Sequence, residues 1–137
     1  MTGGDAYDEL CSYTLSLGDA QFVHQLAVDA FTAQHASERT KPIGLTFALI
    51  GLYLAVEKQY TGRAVQRVHM LIGKRKRQWP RFVVPSMRGT MTVADALAAP
   101  AGPDRDRAIH AWCASVWHAY GSSREQVIEL LKQHGIG

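Results

Sequence analysis

His110 and Cys113 stand three residues apart, so on a helix they face the same way and offer an imidazole and a thiol to one region. A nitrogen and a sulfur so placed could begin a transition-metal site, completed by ligands from the facing helices of a bundle. Glu57, which ends the apolar run IGLYLAV, is the third candidate ligand, and Cys11, Asp29 and His69 are further side chains that other helices could bring. For proton-transfer chemistry the candidates are His24, Glu57 and His69, with His24 needing an acid in the bundle to tune it. Simpler sites fail on spacing. His24 and His35 share a helix face but lie roughly 16 Å apart along it, and His110 and His118 lie about 12 Å apart, too far to ligate one ion. Asp29 and His35, six positions apart, do not share a face. Cys11 becomes a reactive thiolate only where a histidine or cation approaches it; otherwise it is a small buried filler. There is no HExxH or repeated ExxH spacing, no serine elbow, no phosphate loop and no dinucleotide fingerprint. Packing or ordinary hydrogen bonding is the competing expectation for His110, Cys113 and His24, and a salt bridge at a helix end is the competing one for Glu57.

Helices must do the positioning, and their pattern is readable. Tyr7, Leu10, Cys11, Thr14 and Leu17 recur at helical spacing, which predicts a first helix from Ala6 to about Leu17, stopped near Gly18. Asp19 is the expected cap of a second helix reaching about Ala36, with Phe22, Val23, Leu26, Ala27, Ala30, Phe31 and Ala33 as its apolar surface. A third begins near Pro42 and ends around Gln59 or Tyr60. Gly44 and Gly51 share one of its faces and could admit a close neighbour. A fourth runs from Arg63 to Arg77, ended by Trp79 and Pro80. Residues 78–91 read as a long ordered loop in which Phe82 to Val84 could form a brief extended piece. Thr92 with Asp95 is the expected cap of a short helix, Asp104 to Tyr120 returns to helical spacing, and Ser122 or Ser123 is the expected cap of a last helix ending at Gly135.

Charge is divided along the chain. The first 57 residues hold seven acids and two bases, whereas residues 58–94 hold nine lysines and arginines and no acid. Arg63, Arg67, Lys74, Arg75, Lys76, Arg77, Arg81 and Arg88 therefore form a candidate surface for an anionic partner. On the fourth helix Ala64, Val65, Val68, Leu71 and Ile72 supply the expected core face, leaving the bases free to be displayed, and those at its C-terminal end suit the helix field. An acidic protein surface, including one on another copy of this chain, is the favoured partner. Nucleic acid ranks below it, with Trp79 or Phe82 as stacking groups, because no known DNA- or RNA-binding motif accompanies the patch. Trp112 and Trp117, in HAWCASVWHAY, face two sides of one helix, so they serve either intrachain packing or the seam of a homodimer.

With 137 residues, 47% of them apolar, and two distant cysteines, the chain reads as one all-α domain over residues 1–137. Its core is large enough to fold without a metal or disulfide, so no cofactor is required for folding. The N-terminus has neither a basic nor an apolar leader region, and the run from Ile43 to Val56 is too short to span a bilayer. A cytoplasmic location with reduced thiols and no membrane partner follows as the expectation.

The ordered combination YDELCSYTLSLGD, FVHQLAVDAFTAQHA, KPIGLTFALIGLYLAVEKQYTG and VQRVHMLIGKRKRQWP, continued by RGTMTVADALAAPAG and RDRAIHAWCASVWHAY, resembles a bacterial family known only as a domain of unknown function. The resemblance covers roughly residues 7 to 134 and includes the pattern around Cys11, His24, Asp29, Gln34, Glu57, His69 and His110. It implies a compact bacterial cytoplasmic helical protein, and no reaction. Some members have extra N-terminal cysteines that this chain lacks, so a cysteine-bound metal does not carry over. The favoured expectation is a self-associating interaction or scaffold protein, a dimer first. The alternative is a metal-binding bundle enzyme, and a nucleic-acid module is third.

Overall fold

Left-handed residues set the ends of several helices. The structure, a computed structural model, describes residues 3–18, 21–75 and 78–136. Helix α1 spans Gly3–Ser16 and is closed by Gly18, whose φ of 60° a side chain would oppose. Helix α2 spans Val23–Gln34, later than the pattern suggests, and the expected Asp19 cap lies outside the described residues. Its N-cap position is Phe22, itself left-handed at φ 57° and ψ 57°. That conformation costs a non-glycine residue roughly 1–2 kcal/mol. A tertiary junction holds it: the Phe22 carbonyl sits against Gly62, where an added Cβ would collide with it, and the Gln21 carbonyl accepts the Arg63 N–H at 2.9 Å. The Arg63 guanidinium then lies over the Phe22 ring, 5.2 Å from its centroid.

Helix α3, Pro42–Glu57, opens with proline as expected and stops because Gln59 turns left-handed at φ 58°. The Leu54 carbonyl closes that end, accepting the N–H groups of Lys58 and Tyr60 at 3.1 and 2.9 Å. Helix α4 spans Gly62–Arg75; the expected extension to Lys76 and Arg77 lies outside the described residues. Phe82 to Val84 form no strand. Helix α5, Val93–Ala98, is opened by the expected pair, with the Thr92 N–H donating to the Asp95 carboxylate at 2.8 Å. Helix α6 spans Pro103–Ala119, and a 3-10 turn at Gly121–Ser123 leads into α7, Arg124–Gln133. The serine cap expected at 122 or 123 is corrected: Ser123 is already in helical geometry and makes no capping bond, so the chain winds into α7 without a break.

The result is the all-α bundle that the periodicities imply, with α3 at its centre. Ten of the sixteen α3 residues are buried, from Leu45 to Ala55, as befits a helix apolar on every side. Helix α2 packs against α1, α3, α4 and α6; α3 also meets α4, α6 and α7; α5 bridges α1 and α6. The small residues Ala27, Ala30 and Ala33, all fully buried, let α2 lie deep in this packing. Among the described residues no helix is long and apolar enough to cross a membrane.

The tryptophans correct the homodimer-seam expectation. Trp112 and Trp117 are 0% and 2% exposed, and each spends its indole N–H inside the chain, on Gln34 Oε1 at 2.8 Å and Glu57 Oε2 at 2.7 Å. Both faces of α6 are thus occupied by intrachain neighbours, which is the alternative its two-sided pattern left open.

Candidate functional site

Two of the candidate polar side chains do meet. Asp29 of α2 and His69 of α4, both buried, approach to 3.9 Å between Oδ2 and Nε2 beside the centre of α3. Gly51 makes the space, because an added Cβ there would collide with the Asp29 carboxyl. Gly44, the other glycine of that face, has open space instead of a close neighbour. Gln25 donates to Asp29 Oδ1 at 3.0 Å, while Oδ2 has no hydrogen-bond partner. His69 Nε2 lies 2.8 Å from the Phe47 carbonyl, which can only accept, so Nε2 carries the proton. The imidazole also stacks on the Phe47 ring, 4.8 Å between centroids.

Burial decides the charge of this pair. Desolvation raises the Asp29 carboxyl well above the usual carboxylate range, against the opposing Gln25 bond, and lowers His69 to about 4, against the Phe47 bond. Both shifts oppose ionisation, so burial works against an ion pair here, and His69 is a neutral imidazole at neutral pH. Cys113, fully buried with its thiol on the Leu26 carbonyl, is pushed upward by desolvation and then by nearby Asp29, which makes it inert as a thiolate.

The other candidates disperse. His24 Nδ1 lies 2.9 Å from Thr14 Oγ1, the satisfied histidine of the ordinary expectation. Glu57 accepts from Trp117 and from Arg124 Nε and Nη2, at 2.8 and 2.7 Å, and that bond to Arg124 holds its carboxyl below the usual range. His110 is exposed on α6. Cys11 and Cys113 are both free, and desolvation raises the Cys11 thiol despite its contact with Tyr7. The proposed metal set of His110, Cys113 and Glu57 is therefore corrected: among the described residues no group of three or more histidines, cysteines and acids is placed to hold a metal ion. His24, Glu57 and His69 likewise take separate partners and do not form one catalytic centre within the chain.

The basic strip divides into two surfaces. On α4, Arg63, Arg67, Met70, Leu71, Lys74 and Arg75 are exposed, with Met70 at 58%. Their spacing at 63, 67, 70, 71 and 74 is one helical stripe, two apolar side chains set between bases. None of the described bases of the strip forms an ion pair; the described pairs involve Asp29, Asp104, Glu57 and Glu125. Leu71, expected on the core face, is 37% exposed.

Arg81 and Arg88 belong instead to a groove of about 660 Å³ between the α2–α3 connection and residues 80–88, which Arg39 also lines. Arg39 lies outside the basic stretch, and its only signal was the neighbouring Lys41–Pro42 helix start. The loop itself is pinned: Gln34 Nε2 donates to the carbonyls of Arg88 and Met91 at 3.2 and 2.7 Å, and Ser115 Oγ accepts the N–H groups of Thr90 and Met91 at 2.7 and 3.1 Å. Of the two aromatic groups offered for base stacking, Trp79 is half-buried with its ring perpendicular to that of Phe47, and Phe82 is mostly buried, with its open part on the groove.

Among the described residues the fold is a bundle of seven α-helices with a buried acid–imidazole pair and, on α4, exposed bases without an ion pair. Within that class the chain belongs to the family of unknown function DUF5946, whose model matches residues 4–121. No curated protein and no solved structure matches it.

Proposed function

We propose that this protein is a self-associating interaction module in which the basic stripe of α4 on one copy meets the acidic outer face of α1 on another. The observation that carries this reading is the α4 stripe: charged, partly apolar, and without an ion pair among the described residues. Helix α1 has the complementary pattern. Asp8 is exposed on the same face as Leu15, itself 58% exposed, and Glu9 is exposed beside Asp8. Asp8 to Leu15 and Arg63 to Met70 are both seven-residue steps, about 10 Å along a helix, so one alignment brings acid to base and leucine to methionine together. Both helices pack on α2, which leaves each outer face available on the same molecule.

A contact between unlike faces closes as a dimer when it is made twice, and a dimer is the proposed assembly. The two free cysteines fit a reducing, cytoplasmic setting. Light scattering on a size-exclusion column, at low and at high salt, tests the reading. A dimer at low salt that loosens as salt screens the surface charges supports it, and a monomer under both conditions removes it.

A further inference from the structure

The groove beside the start of α3 is lined almost entirely by hydrogen-bond donors on one part and by apolar side chains on the other. Arg39, Arg81 and Arg88 face it with a single acid, Glu38, and none of these four forms an ion pair among the described residues. The hydroxyl oxygens of Ser37 and Thr40 already accept backbone N–H groups, from Arg39 at 3.2 Å and Ser37 at 2.9 Å, which leaves their O–H groups to donate. Arg88 is set in advance: its Nε donates to the Pro85 carbonyl at 3.0 Å and its Nη1 to the Gln34 carbonyl at 3.2 Å. A guanidinium already held loses little freedom when it takes a ligand. Lys41, at the N-cap of the sixteen-residue α3, gives that helix no side-chain cap, so its positive end adds to the same field.

The volume of about 660 Å³ is that of a small-molecule site, far larger than a bare phosphate needs, and Phe82, Pro42, Pro80, Leu45 and Val84 supply apolar wall. We propose that this groove binds a small organic anion, a phosphate monoester or a carboxylate carried on a flat apolar body, with the three arginines taking the anionic group and Phe82 and the prolines the apolar one. The site is separate from the α4 stripe, and its occupancy does not depend on self-association.

Titration of the full chain with phenyl phosphate, benzoate, inorganic phosphate and benzyl alcohol, followed by amide shifts in two-dimensional NMR, tests the proposal. The expected result is saturable shifts confined to residues 37–45 and 80–88 with phenyl phosphate or benzoate, and binding weaker by about tenfold or more for inorganic phosphate and benzyl alcohol. The tighter of the two aromatic anions identifies the natural anionic group. Arg39→Glu and Arg81→Glu, both at exposed positions, should each weaken binding by about tenfold while leaving the remaining spectrum unchanged. Absence of shifts in those segments at millimolar ligand, equal binding of benzyl alcohol, or indifference to both substitutions would overturn it.

Discussion

The carboxyl group of Asp29 fills the space that a side chain at Gly51 would need, with its Cγ only 2.7 Å from where the Cβ would stand, and Val65 Cγ1 lies 3.1 Å from the same point. The α2–α3 contact therefore depends on glycine at 51 and on the size of residue 29 together. Gly51→Ala should gain about 1 kcal/mol of helix propensity and still destabilise the protein, because overpacking a buried contact typically costs about 1–3 kcal/mol and here the obstacle is a buried carboxyl group tied to Gln25. In an Asp29→Ala background the same change should cost less. A double-mutant cycle by urea unfolding should show a coupling of about 1–3 kcal/mol, and simple additivity would mean that α2 and α3 adjust freely.

The acid–imidazole pair predicts an opposed pH dependence. His69 is depressed to about 4 in the folded protein from its ordinary 6.5, so the unfolded chain binds the extra proton between those values and stability falls as pH drops from about 6.5 to 4. That loss is on the order of 3 kcal/mol, taking 1.4 kcal/mol per unit. Asp29 is raised, so its contribution is present below the ordinary carboxylate pKa and is lost as pH rises through the folded value. In the wild type the Asp29 slope opposes the His69 slope wherever its titration overlaps the His69 window from about 4 to 6.5. Asp29→Asn should steepen the rise of stability with pH across it, and His69→Gln, which keeps a donor for the Phe47 carbonyl, should reverse or flatten it. Urea midpoints taken at several pH values read both slopes directly.

How far this was legible in the sequence differs from residue to residue. Helix spans followed from apolar spacing because each helix buries a continuous face, and α3 was recognisable from its uninterrupted run. The start of α2 was not, because the left-handed Phe22 is held by Gly62 and the Arg63 N–H, forty residues further along. Gly44 and Gly51 look alike in sequence, and only the position of Asp29 on a neighbouring helix separates them. The tryptophans of α6 satisfied both a core and a seam pattern, and the partners that decide it, Gln34 and Glu57, lie 78 and 60 residues away. Histidines and cysteines named as candidate ligands dispersed for the same reason: spacing within a helix says which way a side chain faces and nothing about what stands opposite.

Gln34 is the hub that ties the long loop to the core. Its amide serves Trp112, Arg88 and Met91, and its backbone carbonyl accepts from Arg88. Gln34→Ala leaves the buried Trp112 N–H without an acceptor, a loss of about 1–3 kcal/mol. Amide exchange should rise in residues 85–91 more than in α3, since the variant removes two anchors of that segment and none of the central helix. Uniform acceleration across the chain would show only a global loss of stability.

Charge reversal with rescue tests the proposed association most directly. Arg63→Glu with Arg67→Glu should turn the low-salt dimer into a monomer in light scattering, and Asp8→Lys with Glu9→Lys should do the same. An equimolar mixture of the two doubly substituted chains, or both pairs combined in one chain, should restore the dimer, because the reversed faces again complement each other. A dimer that survives both reversals, or a loss that the compensating reversal does not repair, would contradict the pairing of α4 with α1.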